Sequence, residues 1–157
     1  MSNYMTVDEA NKYVETHYLS TDTLRTSWEA LTDEDKEVLL TVSTEAINSI
    51  PWPGRKAKAS QPNAFPRCPY TEVPKAVLAA CIENALSLTD EVTQEEAHIY
   101  QRMWAYGLSS YRIGNFSETM VQGGGNSGMN LFTQSGVTST KAQTLLKPLM
   151  GGGYAIE

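Results

Sequence analysis

The sequence predicts a mainly α-helical fold: a small helical bundle with an extended β-hairpin or arm and a short C-terminal helix. Three features carry that prediction. Segments at 6–17, 32–50 and 74–88 repeat apolar residues at spacings of three and four behind capping residues, the mark of amphipathic helices. A polar link holding Pro51, Pro53, Pro66 and Pro74 separates the second from the third. Proline lacks an amide donor and pushes its predecessor out of helical geometry. After Gly107, aromatic and polar residues alternate around glycines, an extended pattern.

In chain order, Thr6 and Glu9 form a capping box that opens a helix with Val7, Ala10, Tyr13, Val14 and His17 on one face. A short helical segment, Thr23 to Leu31, carries Leu24, Trp28 and Leu31. Thr32 caps the next helix, and Asp33, Glu34 and Asp35 complement its dipole. Val38, Leu39, Val42, Ala46, Ile47 and Ile50 form its expected buried stripe, which stops at Pro51. Pro74 starts the following helix. Ala76, Val77, Ala80, Cys81, Ile82, Ala85, Leu86 and Leu88 make it apolar nearly all round, which places it at the centre of the bundle.

From Thr89 to Glu96 the chain is acidic and expected to be exposed, and Ala97 to Tyr106 is ambiguous, with Tyr100, Met103, Trp104 and Leu108 sharing a face if helical. An extended arm is expected over 108–135. It holds Tyr111, Ile113 and Phe116 around Gly114-Asn115, a glycine-rich tip from Gly123 to Gly128, and an extended return from Met129 to Thr133. Ser139 or Thr140 caps a last helix with Ala142, Leu145, Leu146 and Leu149 on one face, before Gly151-Gly152-Gly153 and an apolar tail. The chain thus divides into a helical body, 1–90, and an arm with its C-terminal helix and tail, 91–157. Such an arm buries little of its own surface and suits packing on another subunit.

A length of 157 residues fits one domain with an arm. The net charge of −6 argues against general affinity for a phosphate backbone, which needs a basic face. No apolar run nears the roughly 20 residues of a membrane span, so no membrane partner is expected. Met1 to Tyr4 lacks the basic and apolar regions of a secretory signal. Cys68 and Cys81 are expected to be free thiols.

No constellation advertises catalysis. Gly123, Gly125 and Gly128 formally match a dinucleotide fingerprint, but the run leads into Met129-Asn130-Leu131-Phe132 and the remaining chain is too short for a βαβ unit. His17 and His98 lack metal-ligand spacing. The acidic runs read as a dipole complement and a solvated face. No cofactor, no metal and no enzymatic activity are expected. Asn115-Phe116-Ser117 matches a glycosylation sequon without a secreted context.

The link itself is the most informative stretch. Arg55, Lys56, Lys58 and Arg67 form the one basic cluster, either contacting nucleic acid or an acidic protein, or keeping an exposed loop solvated. Trp52 reads as a lid on the helix before it rather than as a base-stacking platform, given the area an indole buries.

Several ordered motifs carry a resemblance: Tyr4-Met5-Thr6-Val7-Asp8-Glu9-Ala10-Asn11-Lys12-Tyr13; Trp28 followed by the helix from Asp35 to Ile47; Trp52, Gly54-Arg55, Gln61, Phe65-Pro66-Arg67 and Val73-Pro74; Tyr111, Ile113-Gly114 and Phe116-Ser117; and Leu145-Leu146-Lys147-Pro148-Leu149. In this order they resemble the tailed-phage head–tail connector (adaptor) proteins, a group also labelled DnaT-like. The resemblance implies a virion protein of the neck, present in the host cytoplasm during assembly. Its copies would form a ring, typically twelve-fold, under the portal protein. That ring would extend the channel for double-stranded DNA and meet the next neck, head-completion or tail protein. An acidic protein suits such a channel. By the same resemblance the C-terminal residues Leu145, Leu146, Leu149, Tyr154 and Ile156 would dock on the portal. Another label in the group implies a primosomal-type single-stranded-DNA-binding protein, with Trp52, Arg55, Lys56, Lys58 and Arg67 facing the nucleic acid.

Overall fold

Four helices start where a side chain, that of Thr6, Asp22, Thr32 or Ser139, accepts from a free backbone amide. The computed structural model describes residues 2–91, 94–95, 98–99, 102, 110–113, 116–119 and 127–151. Helix α1, Val7–His17, opens on the expected capping box: Thr6 Oγ1 accepts from Glu9 N at 3.3 Å, and Glu9 Oε2 accepts from Thr6 N at 2.8 Å. Helix α2, Thr23–Glu29, is capped by Asp22, and α3, Asp33–Ser49, by Thr32. Helix α4, Lys75–Ser87, begins directly after Pro74. Strands β1, Ser110–Ile113, and β2, Phe116–Thr119, pair antiparallel, with Ser110 opposite Thr119 and Ile113 opposite Phe116. Helices α5, Ser127–Gln134, and α6, Thr140–Met150, follow. The fold is mainly helical, with six helices among the described residues.

Helix α4 is central. Val77, Ala80, Cys81, Ile82, Ala85 and Leu86 are all buried, and α2, α3 and α6 pack around it. Trp28 from α2 is wholly buried and donates its Nε1 proton to Asn11 Oδ1 at 2.9 Å. The apolar cluster also takes in Phe132, Val137, Ala142 and Leu146, so residues beyond 90 share the core of the body. Cys68 is exposed and Cys81 buried, both as free thiols.

Two expectations are corrected. Met129 to Thr133 is not an extended return but part of α5. Gly136, at φ +92°, ends that helix in a Schellman turn, with Gly136 N donating to Thr133 O and Val137 N to Phe132 O at 2.9 Å. Phe132 is thereby driven into the core. The buried stripe of α3 is also rotated from the expected one. Val38 is 60% exposed and Val42 43%, while Leu40, Ser43, Thr44 and Ile47 face inward. The cause is hydrogen bonding: Ser43 Oγ donates to Cys81 O at 2.6 Å, and Thr44 Oγ1 accepts from Tyr4 N at 3.3 Å. Partnered hydroxyls tolerate burial, and a count of apolar spacing misses them. Tyr100, Met103, Trp104, Leu108, the Gly123 to Asn126 tip and the Tyr154 to Ile156 tail lie outside the described residues.

Candidate functional site

The proline-rich link between α3 and α4 is folded on itself. Trp52 is 8% exposed, meets Phe65 edge-on at 4.8 Å between ring centroids, and donates its indole proton to Ile47 O at 2.8 Å. Its ring therefore lids the end of α3, buried against Phe65 and near Phe132, with its donor engaged in the chain. Arg67 spreads its guanidinium over four loop carbonyls, those of Gly54 at 2.6 Å, Trp52 at 3.1 Å, Pro53 at 3.2 Å and Ala64 at 3.4 Å. Only a planar five-donor fork reaches so many acceptors at once.

The remaining polar groups tie the loop in cross-section. Ala57 N donates to Pro66 O and Cys68 N to Arg55 O, both at 3.0 Å. Gln61 Nε2 donates to Asn63 O and Pro66 O, and its Oε1 accepts from Lys58 N. Lys56 Nζ donates to Gln61 O at 3.2 Å. The peptide bonds before Pro66 and Pro69 are cis, and Gly54 takes φ +74°, where a side chain would be strained.

Tyr4 fastens the loop to the body. Its hydroxyl donates to Asn48 Oδ1 at 2.5 Å and accepts from Phe65 N at 3.2 Å, and Asn48 Oδ1 also accepts from Ala64 N at 2.7 Å. Burial pushes the Tyr4 phenol up to about 12.

Of the five loop candidates, Trp52, Lys56 and Arg67 are thus engaged internally. Arg55 and Lys58 are exposed, and no ion pair of theirs occurs among the described residues. Of the C-terminal candidates, Leu146 is wholly buried, and Leu145 and Leu149 pack half-buried on the same core. Those leucines hold α6 to this chain's own body. Tyr154 and Ile156 lie outside the described residues.

Sequence reasoning missed a buried polar junction. Glu83, 3% exposed on α4, accepts from Tyr13 Oη at 2.7 Å, from the Tyr18 hydroxyl and from Lys141 Nζ at 2.6 Å. Burial, followed by the hydrogen bond and charge of Glu83, pushes both phenols well above the ordinary tyrosine value. The adjacent Asn84 holds the turn between α5 and α6, with its Oδ1 accepting from Thr138 N at 2.9 Å. The signal was the Glu83-Asn84 pair inside an otherwise apolar helix, since buried polar groups require partners.

A family model described as "Putative DnaT-like ssDNA binding protein" matches residues 2–157. The chain belongs to this family. No curated protein and no solved structure matches the chain. In this DnaT-like chain the loop aromatic available for stacking on a base is covered by Phe65, and the loop cations left open to solvent are Arg55 and Lys58.

Proposed function

We propose that this DnaT-like family member is a structural virion protein, a head–tail connector (adaptor) of a tailed phage. Its copies form a ring, twelve-fold by the resemblance, beneath the portal protein. The ring lengthens the channel for double-stranded DNA and presents a surface to the next neck, head-completion or tail protein. The strand pair at 110–119 serves as an arm toward a neighbouring subunit. The reading involves no reaction and no cofactor.

The observation that carries it is the internal use of Trp52 and Arg67. A loop that spends its aromatic ring and its guanidinium on its own carbonyls and core is a rigid part. The acidic balance supports the same reading, because a negative wall lets DNA slide instead of stick. The order of motifs along the chain supports it as well.

The family description favours a second reading, binding of single-stranded DNA. On that reading Arg55 and Lys58 contact phosphates, and Trp52 leaves its pocket to stack on a base. Two measurements separate the readings. Co-migration with the portal protein of the same genome on gel filtration is expected for a connector. Tryptophan quenching by a single-stranded oligonucleotide at low salt, lost as salt rises, would overturn the connector reading in favour of the second.

A further inference from the structure

Helix α3 turns outward a face that nothing among the described residues covers. Glu34, Val38, Val42 and Glu45 recur along it and all are exposed, with Glu37 at the flank. Valine is a mediocre helix former, and two of them one turn apart gain nothing from water. The same helix buries Ser43 and Thr44. Beside the stripe, the N-terminal segment and α3 leave an open cleft of about 430 Å³, with Met5, Thr6, Glu37, Leu40 and Thr41 among its lining residues. The face is apolar at its middle and negative around it.

The complementary surface sits on the same chain. Arg55 and Lys58 project from a loop held in shape by Arg67 and Gln61, and the exposed Tyr70 follows them. In a protein of net charge −6, these are cations held out on a rigid support and left unpaired among the described residues. The acidic α3 face repels phosphate, so nucleic acid is a poor occupant for it.

We infer that the occupant of the α3 face is a second copy of this chain. Its loop sets Arg55 and Lys58 among Glu34, Glu37 and Glu45, while Val38 and Val42 lose water against the loop's apolar parts. Two different patches meet, so the contact is head-to-tail. Such a contact repeats from copy to copy until it closes into a ring or runs on as a filament. Closure into a ring rests on the connector reading; the pairing of the two patches does not.

Charge reversal tests the pairing. Three full-length variants are compared with the parent: Glu34→Lys with Glu45→Lys, Arg55→Glu with Lys58→Glu, and all four changes together. All positions are exposed, and unchanged melting temperatures establish that the variants fold. Self-association is followed by sedimentation velocity over a rising concentration series at low and high salt. Carboxyl-to-amine cross-linking of mixed heavy- and light-isotope chains reports which residues meet between copies.

The parent is expected to associate at low salt, with heavy–light links joining Lys58 to Glu37 or Glu45. Each two-site variant weakens association about tenfold or more, because like charges then face each other. The four-site variant recovers it, since its charges are exchanged and not removed. A parent that stays monomeric without heavy–light links, or a four-site variant no better than the two-site ones, overturns the pairing. Oligomers that persist in every variant, with links elsewhere, also overturn it while leaving a connector ring intact. Loss of oligonucleotide binding in the Arg55/Lys58 variant, without loss of association, overturns it too and transfers the loop to nucleic acid.

Discussion

Lys141 Nζ lies 2.6 Å from Glu83 Oε1, an amine half exposed on α6 bonded to a carboxylate sealed inside α4. The same carboxylate takes the hydroxyls of Tyr13 and Tyr18, so one group joins α1, the turn after it, α4 and α6. The two ends of the bond are not equivalent. Glu83→Ala strands three donors and is expected to cost about 3 kcal/mol. Lys141→Met leaves the carboxylate with both phenols and removes a solvated charge, for about 1 kcal/mol. Urea unfolding of both variants measures this, and equal losses would contradict the asymmetry.

Arg67 has a comparable role in the loop. Arg67→Lys keeps the charge but loses the fork that spans the carbonyls of Trp52, Pro53, Gly54 and Ala64. The expected loss is about 2 kcal/mol, with carbonyls left under-partnered. Because these bonds frame Trp52, its emission should shift toward that of a solvated indole. A lysine variant with the parental midpoint and spectrum would show that the fork is dispensable.

Three phenols are expected to weaken the fold at alkaline pH, alongside the buried Cys81 thiol, which burial also pushes up. Tyr4, Tyr13 and Tyr18 are all pushed upward, chiefly by burial. A group whose pKa is higher folded than unfolded contributes fully below its unfolded value, about 10 for tyrosine, and that contribution is lost as pH rises through the folded value. For Tyr4 the folded value is about 12. The melting temperature should hold between pH 7 and 9 as far as these groups are concerned and fall above about pH 10. Tyr13→Phe with Tyr18→Phe should flatten that fall. A melting temperature unchanged to pH 11 would refute the burial of these hydroxyls.

Ala80 is wholly buried at the centre of the helical packing. Ala80→Trp should cost about 1–3 kcal/mol or more by overpacking. An unshifted calorimetric transition would remove α4 from the centre.

The helices were readable where local chemistry decides them. Thr6 with Glu9, Thr32 with its acidic first turn, and Ser139 announced three helix starts, and the all-round apolar pattern of 76–88 announced the central helix. Reading failed where tertiary bonds override apolar spacing. Ser43 and Thr44 turn inward because Cys81 O and Tyr4 N await them, and this rotates Val38 and Val42 into solvent. The Ser135-Gly136-Val137 stop was a usable helix signal, hidden beside a glycine-rich run that suggested an arm. In the loop, composition marked Trp52 as a lid, but no sequence pattern shows that Arg67 would commit its guanidinium to four nearby carbonyls. That depends on how the chain folds back between Trp52 and Pro66.

The most direct test of the connector reading is negative-stain microscopy of the purified protein mixed with the portal protein of the same genome. The account predicts a second ring stacked on the narrow end of the portal. Bare portals, at protein concentrations well above micromolar and with the chain folded, would contradict it.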